Sequence, residues 1–293
     1  MDLVWLEDFL ALAETRNFSR AAAQRNVTQP AFSRRVRAFE TWIGAEMFER
    51  GPRGVTLTRA GEHVLAHAGE IVRRIHDVKR EVRAISGREA HAVRFSCTHA
   101  LSFTFFPGWI RGAAPGLGAI RLISDNMAAC EQVMRRGDAE FLLCHHDQEL
   151  PELFGANRFP SVVVGHDRIV AVSAPDAEGA PHWRLPAAKG ERVRLLSYAE
   201  QSGIGRIVAA RWNARDADIA FTSHLGATLL SMAYAGEGVA WLPLALAQDG
   251  LRDGRLVPAS DDRMTIEVEI RLFRGAAGRL GPAAEEFWTS LTS

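Results

Sequence analysis

One stretch of the chain, FSRAAAQRNVTQPAFSRRVRAFETWIG at residues 18–44, constrains the fold more than any other. Its three consecutive alanines favour a short helix that another helix can approach closely, and Ser19 is placed to cap that helix. Asn26 suits a turn. Thr28 is placed to cap a second helix, with Pro30 in its first turn, where a missing N–H costs little. The stretch therefore predicts two short helices joined by a tight turn.

The second predicted helix has two contrasting faces. Its apolar residues recur at steps of four, three and four and predict one stripe facing a core: Phe32, Val36, Phe39 and Ile43. The opposite face carries Gln29, Ser33, Arg34 and Arg37. Gln and Arg make paired hydrogen bonds to adenine and guanine edges, and Ser and Arg also suit phosphate oxygens. This pattern is typical of a helix-turn-helix that reads duplex DNA; an ordinary solvated face on a helical pair is the alternative.

A short hairpin is predicted directly after these helices. In EMFERGPRGVTLT, at residues 46–58, Gly51-Pro52 and Gly54 mark a tight turn between two extended pieces. Arg50 and Arg53 lie on this wing, where arginine suits phosphates or a narrow minor groove; a solvated hairpin is the alternative. The complete set of predicted DNA contacts is Ser19, Thr28, Gln29, Pro30, Ser33, Arg34, Arg37, Arg50 and Arg53.

Charge is distributed unevenly along a chain that is neutral as a whole, with 35 Lys and Arg against 35 Asp and Glu. Residues 16–59 hold nine arginines and three glutamates. This local excess of positive charge predicts a DNA-contacting module that is joined to a further part of the chain with another role. The 293 residues suffice for two or three domains. Three cysteines without CxxC spacing argue against a disulfide framework and a structural zinc site. Without a signal peptide or a membrane-spanning run, we expect a cytoplasmic protein with no membrane contact.

A heptad pattern follows the wing. Thr58 can cap a long helix, and the apolar positions after it alternate steps of four and three, as in a coiled-coil seam: Val64, Ala68, Ile71, Ile75, Val78, Val82 and Ile85. A narrow apolar stripe needs a partner helix, and the economical partner is the same helix of a second subunit. The pattern therefore predicts a homodimer, with a homotetramer also open, which would read a palindromic site.

Beyond residue 91 the periodicity changes to alternating strands and helices, which predicts α/β units with a parallel sheet. Strands are predicted at 93–97, 119–124, 139–143, 162–164, 167–173, 193–198, 219–222, 238–242 and 266–272, and helices at 101–112, 127–136, 203–211, 225–235 and 282–291.

A ligand cleft is predicted at the carboxyl ends of these strands, where open α/β sheets bind ligands. Small hydroxyls and histidines there suit a carboxylate or another small anion, although some of them can be simple loop or cap residues. The predicted effector contacts are Thr98, His99, Ser102, His145, His146, Ser197, Tyr198, Ser202 and Ser223, with His224 adjoining the last. Cys97 and Cys144 fit either a metal or redox site near the cleft or small buried hydrophobes. No cofactor or resident metal is predicted.

Four segments, LEDFLALAE, NFSRAAAQRNVTQPAFSRRVRAFE, IGAEMFER and LTRAG, resemble the DNA-binding domain of LysR-type transcriptional regulators. The resemblance implies a winged helix-turn-helix domain at 1–58, a linker helix for dimerisation at 59–88, and an effector-binding domain at 91–293. That domain would resemble a periplasmic binding protein, with subdomain I at 91–160 and 266–293 and subdomain II at 161–265. The implied partners are double-stranded DNA and a small effector.

Two further segments, THALS and GVAWLP, are similar to hypochlorite-responsive members of that family and suggest an oxidative signal. The alternative is a solute-binding or redox-sensing protein that uses the cleft without sequence-specific DNA binding. An enzyme is not supported, because the chain lacks GxSxG and a Walker lysine motif, and Gly236-Glu237-Gly238 lacks the third glycine of a dinucleotide fingerprint.

Overall fold

The computed structural model describes residues 2–51, 54–85, 92–150, 159–186, 192–212, 217–275 and 280–292. The chain forms two compact units, Met1–Ser86 and Gly87–Ser293. Among the helices described, none combines the length and the apolar character needed to cross a membrane.

The first unit is a winged helix-turn-helix followed by a long helix, as predicted. Its elements are α1 Leu3–Thr15, α2 Phe18–Gln24, α3 Gln29–Ile43, β1 Phe48–Gly51, β2 Gly54–Leu57 and α4 Arg59–Ile85. Helix α1 packs against α2, α3 and α4, and β1 pairs with β2 as an antiparallel hairpin. The three helices therefore share α1 as a common support.

The predicted apolar stripe of α3 supplies the core of this unit. Phe32, Val36 and Phe39 are at most 2% exposed and pack with Phe9 from α1. Ile43 was expected in the same stripe, but it is 37% exposed. The helix ends there, because the next residue, Gly44, turns the chain at a φ of +82°.

The helix caps agree only in part with the sequence. Asn17, not Ser19, caps α2, because its Oδ1 accepts hydrogen bonds from the backbone N–H groups of Ser19 and Arg20 at 2.9 and 3.0 Å. The prediction that Ser19 caps this helix was therefore wrong. Thr28 occupies the cap position of α3, but its side chain makes no capping hydrogen bond. Asn26 adopts a left-handed φ of 54° in the turn between α2 and α3, as its type predicts.

Helix α4 divides its apolar residues between two roles. Ala68 is fully buried in the core of its own unit, with Val64 packed against the same core. The heptad pattern predicted both residues as part of the dimer seam. They do not form a free seam, because the first turns of α4 lie against α1 and β2. Further along, the seam residues are between 39% and 58% exposed: Ile71, Ile75, Val78 and Val82. The side chain of Ile85 lies outside the described set.

The second unit contains a large mixed sheet flanked by helices. Its first part comprises β3 Val93–Thr98, α5 His99–Thr104, α6 Phe106–Ala113, β4 Ile120–Asp125, α7 Met127–Arg136, β5 Phe141–His146 and β6 Ser161–Ser173. Its second part comprises β7 Val193–Tyr198, α8 Gly203–Arg211, β8 Ala217–Ser223, α9 Gly226–Tyr234, β9 Val239–Pro243, α10 Leu244–Arg252, β10 Val257–Pro258, β11 Ile266–Arg274 and α11 Pro282–Thr292, with a short 3-10 helix at Asp262–Met264.

The strand order is β4-β3-β5-β11-β6-β9-β7-β8, with β10 paired to β6. Strands β3, β4 and β5 pair in parallel, and so do β7, β8 and β9. The predicted parallel pairing is therefore confirmed within these two sets, but in the middle of the sheet β6 and β11 run antiparallel to each other and to their neighbours. These two long strands carry the chain from one parallel set to the other and back.

The predicted elements of this unit differ from the structure in several places. The helix predicted at 101–112 is two helices that meet at Phe105, with Pro107 in the first turn of the second. The extended pieces at 162–164 and 167–173 are one strand, β6. Helix α10 was not predicted, because it begins directly after Pro243 with no loop to separate it from β9.

Candidate DNA-binding surface and effector cleft

The polar face of α3 is open to solvent. Gln29, Pro30, Arg34 and Arg37 are exposed, and Ser33 is half-buried beside the core stripe. Ser19 on α2 and Thr28 in the turn are also exposed. Arg53 lies outside the described residues, and so does the side chain of Arg50.

An open groove of about 850 Å³ runs between α3 and the wing. Ser33 and Arg37 line it from the helix, and Phe48 lines it from β1. Glu40 ties the two walls together, because its Oε1 accepts hydrogen bonds from the backbone N–H groups of Met47 and Phe48 at 2.9 and 3.3 Å. The position of the wing is therefore fixed relative to the helix that carries the predicted base contacts.

A polar network on α1 was not predicted from the sequence. Asp8 is fully buried, and its Oδ1 accepts a hydrogen bond from Arg25 Nε at 2.7 Å. Arg25 Nη2 also donates to Glu7 Oε2 at 2.6 Å. Arg35 Nη1 lies 3.6 Å from Asp8 Oδ2, and His76 Nε2 lies 3.2 Å from Glu7 Oε1. The sequence signal was the adjacent acid pair on a helix that otherwise supplies core residues.

Residues from several strand ends and helix starts of the second unit meet in one small cavity of about 30 Å³. Thr98 comes from β3, His99 from α5 and Tyr198 from β7. The full lining is Thr98, His99, Ala100, Asp125, Asn126, Met127, His145, Tyr198, Ser202, Gly203, Ile204, His224 and Gly226. The predicted residues Thr98, His99, His145, Tyr198 and Ser202 therefore lie together, as the strand-end rule requires.

Two histidines face each other at this cavity. The ring centroids of His99 and His224 are 5.8 Å apart. His99 Nδ1 lies 3.2 Å from Ser124 Oγ, and its Nε2 lies 4.0 Å from Asp125 Oδ1. Burial lowers the pKa of His99, Asp125 opposes this effect, and His224 adds to it. The net lowering favours a neutral ring that offers one N–H donor at neutral pH.

Two buried hydroxyls at the cavity lack hydrogen-bond partners. Thr98 Oγ1 and Tyr198 Oη are both inaccessible and unpartnered within the described part of the chain. Burial raises the pKa of Tyr198, so its phenol stays protonated and can donate. Buried polar groups in folded proteins are almost always paired. Thr98 ends β3 and Tyr198 ends β7, so the two unpaired hydroxyls belong to different strands of the sheet.

The remaining predicted effector residues do not line this cavity. Successive strand residues point to opposite faces, which separates His146 from His145 and Ser197 from Tyr198. His146 packs against Phe273 with ring centroids 6.1 Å apart, and Ser197 lines only a groove near α8 that Tyr198 also borders.

Ser102 and Ser223 are occupied in local hydrogen bonds. Ser102 Oγ donates to the carbonyl oxygen of His99 at 2.7 Å, and Ser223 Oγ accepts from the backbone N–H of Leu225 at 3.0 Å.

Two further predicted residues line the cavity while they are engaged elsewhere. His145 Nε2 lies 3.1 Å from Asp167 Oδ2 in a buried pair. Ser202 caps α8, because its Oγ accepts from the backbone N–H of Gly205 at 3.2 Å. The predictions missed Asp125, Asn126 and Met127 at the end of β4. They stand at the carboxyl end of a parallel strand, so they follow the same strand-end rule.

The cysteines behave as buried hydrophobes. Cys97, Cys130 and Cys144 are all free and buried. Burial raises the pKa of each thiol, that of Cys130 to about 11, and so disfavours the reactive thiolate. Among the described residues, no group of three or more His, Cys, Asp or Glu side chains could hold a metal ion.

These features define a class of protein. A winged helix-turn-helix with an open Gln/Ser/Arg face, a long helix with an exposed seam, and an α/β unit with a ligand cavity form an effector-responsive DNA-binding regulator. Two family models agree: the bacterial regulatory helix-turn-helix protein, lysR family, matches residues 3–62, and the LysR substrate binding domain matches residues 86–293. The chain belongs to the LysR family and is a transcriptional regulator with a DNA-binding and an effector-binding domain.

Similar proteins cover nearly the whole chain. The HTH-type transcriptional regulator YjiE of Escherichia coli is 31% identical over 292 residues, which is 98% of this chain and 93% of the relative. The full-length structure of HypT from Salmonella typhimurium, a hypochlorite-specific LysR-type regulator, shares 28% identity with a TM-score of 0.59 and covers 99% of this chain and 97% of its own. Vibrio fischeri DarR, solved in complex with DNA, shares 28% identity with a TM-score of 0.58 and covers 99% and 98%.

Proposed function

We propose that this regulator reads DNA with the exposed face of α3 and changes its DNA binding when a small anion occupies the cavity around Thr98, His99 and Tyr198. The wing would contact the flanking backbone through Arg50 and Arg53. As a bacterial DNA-binding regulator it would act in the cytoplasm, where the chromosome lies.

The observation that most supports the anion site is that two unpartnered hydroxyls, of Thr98 and Tyr198, lie at the same cavity as the facing rings of His99 and His224. Together Thr98, Tyr198 and His99 can offer two O–H groups and one N–H group to one acceptor. The cavity of about 30 Å³ has room for one or two water-sized species. A halide or a hypochlorite ion suits that size, and the hypochlorite-specific relative HypT favours the same class. A larger organic acid would require the cleft to open.

The effector can act only through differential affinity. It shifts DNA binding by no more than the difference between its affinities for the two arrangements of the regulator. The bound anion would hold the ends of β3 and β7 together through Thr98 and Tyr198. We therefore propose that the anion favours the closed arrangement of the cleft.

A second copy of the chain is the partner that we propose for the exposed seam of α4. Ile71, Ile75, Val78 and Val82 are exposed apolar residues at heptad spacing. A Val78→Asp variant should shift the protein from dimer toward monomer in sedimentation velocity, because a charge at the seam loses its hydration on pairing. If the wild type sediments as a monomer, the seam does not pair two copies.

The effector proposal is tested by thermal unfolding in bromide at constant ionic strength, with glutamate as the replacing anion because it is too large for the cavity. Bromide should raise the midpoint of the wild type, since a ligand that binds only the native state stabilises it. His99→Ala should lose this response. His63→Ala, which removes an exposed histidine of the first unit, is the matched control and should keep it. A wild-type midpoint that is the same in bromide and glutamate would refute the anion site.

A further inference from the structure

Two adjacent acidic residues on α1 contact basic side chains from three other parts of the first unit. Glu7 and Asp8 together contact Arg25 in the turn between α2 and α3, Arg35 on α3 and His76 on α4. All five side chains belong to the first unit. The polar edge of α1 therefore joins the turn, the recognition helix and the linker helix.

Asp8 is the buried centre of this network. Its side chain is 0% exposed, so its charge needs partners within the protein. Arg25 Nε satisfies Oδ1 at 2.7 Å. Oδ2 accepts no hydrogen bond within the described residues, and Arg35 Nη1 stands 3.6 Å away. Asp8 therefore holds the turn tightly and α3 more loosely.

Both arginines lie at positions that affect the orientation of α3. Arg25 ends α2 at φ −92° and ψ 4°, and the next residue, Asn26, takes the left-handed φ of 54° that redirects the chain into α3. Arg35 adjoins Arg34, the exposed residue predicted to reach base edges. The hydrogen bond between Asp8 and Arg25 restrains the angle of the turn, and the longer contact with Arg35 adds a weaker restraint on the rotation of α3 about its own axis.

Glu7 extends the network to the linker helix. Its Oε2 accepts from Arg25 Nη2 at 2.6 Å, and its Oε1 lies 3.2 Å from His76 Nε2. One carboxylate thus connects α4 with the turn that precedes α3. A displacement of α4 would pull on the same side chain that holds the turn.

We propose that Asp8 and Glu7 are positioning residues for DNA recognition, which fix the turn and rotation of α3 through Arg25 and Arg35 and tie that orientation to α4 through His76. Neither acid touches DNA. The inference rests on the proposed use of α3 for base contacts.

The test measures specificity, which a purely structural role would not change. The full-length protein is footprinted on the DNA upstream of its own gene. Anisotropy then gives its affinity for the footprinted duplex and for a scrambled duplex of equal length and composition. Asp8→Asn keeps the shape and an acceptor but removes the charge that holds both arginines. We expect it to lower the ratio of specific to scrambled affinity by about tenfold, the order of one lost base contact.

The matched control is Glu14→Gln, an exposed acid on the same helix, which should leave the ratio at the wild-type value. Arg25→Lys should retain more of the ratio than Arg25→Gln, because it keeps the charge beside Asp8. If Asp8→Asn does not fold, Glu7→Gln replaces it as a less buried change in the same network. A loss of direct phosphate contacts would instead weaken both duplexes alike and reduce the salt dependence.

Two outcomes overturn the inference, and they differ from failure of the proposed DNA surface. If folded Asp8→Asn keeps the wild-type ratio, even with a lower melting temperature, Asp8 is only structural. The same holds for Glu7→Gln where that variant is used. If the wild type itself does not prefer the footprinted duplex, base recognition by α3 fails as well.

Discussion

Replacing Tyr198 by Phe should have two opposite effects, one on the free regulator and one on its ligand response. The Tyr198 hydroxyl is buried without a partner beside the cavity. An unpaired buried hydroxyl costs about 1–3 kcal/mol relative to a hydrogen-bonded one. Its removal should therefore stabilise the free second unit, by about 1 kcal/mol at the lower end of that range. For a unit of about 200 residues this corresponds to a rise in melting temperature of about 2–4 °C.

The increase in melting temperature caused by bromide should, in contrast, become smaller in Tyr198→Phe. If the hydroxyl donates to the bound anion, Tyr198→Phe removes one of the three proposed donors, and the stabilisation by bromide should shrink or disappear. Differential scanning fluorimetry with and without bromide, at constant ionic strength, measures both effects in one experiment.

The chain has two tyrosines, so Tyr234→Phe is the matched control. The ring of Tyr234 lies under the guanidinium of Arg255 at 4.5 Å, away from the cavity, and a Phe ring keeps this contact. The control should change neither the melting temperature nor the bromide response. A clear fall in the melting temperature of Tyr198→Phe would show that the hydroxyl has a partner, and an unchanged bromide response would remove it from the ligand site.

Three other predictions test separate parts of the molecule. Arg34→Ala should weaken specific DNA binding by about 1–3 kcal/mol in an anisotropy titration, and unchanged affinity and specificity would remove Arg34 from the recognition face. Gly61→Ala should destabilise the first unit by more than about 4 kcal/mol in denaturant unfolding, since the added Cβ would lie 2.2 Å from the Met47 carbonyl oxygen; a near-wild-type midpoint would contradict this geometry. Burial opposes ionisation of Asp147, but the hydrogen bonds from Arg211 and from the backbone N–H of Glu149, together with the nearby positive charge, outweigh it and lower its pKa. Asp147 therefore stabilises the fold above its unfolded pKa of about 3.9, and this stability should be lost on acidification, so that wild type and Asp147→Asn converge at low pH.

The sequence predicted the first unit well because its signals are local. The apolar steps at Phe32, Val36 and Phe39 and the turn residue Asn26 each act within a few residues, and the structure agrees with them. Ser19 failed as a cap because a second capping residue, Asn17, stands two positions earlier. A sequence pattern does not show which of two nearby candidates enters the extended conformation that a cap requires.

The lining of the cavity around Thr98, His99 and Tyr198 was only partly predictable, because strand ends define a region but not the direction of a side chain. His145 lines the cavity and His146 does not, because the two residues occupy opposite faces of β5. Every residue of β5 is buried, so no alternation of apolar and polar residues reveals the two faces. Tyr198 and Ser197 differ for the same reason of strand geometry.

The two roles of α4 have a mechanical consequence. Ala68 and Val72 pack into the core of the first unit, and His76 contacts Glu7 one turn later. Ile75 and Val78, which are exposed, lie where these internal contacts end. A second copy paired there would meet a helix whose position relative to α1 is already fixed by both apolar and polar contacts. The spacing of two recognition helices would then depend on the packing of one helix pair, so a change in that packing would alter the preferred distance between half-sites.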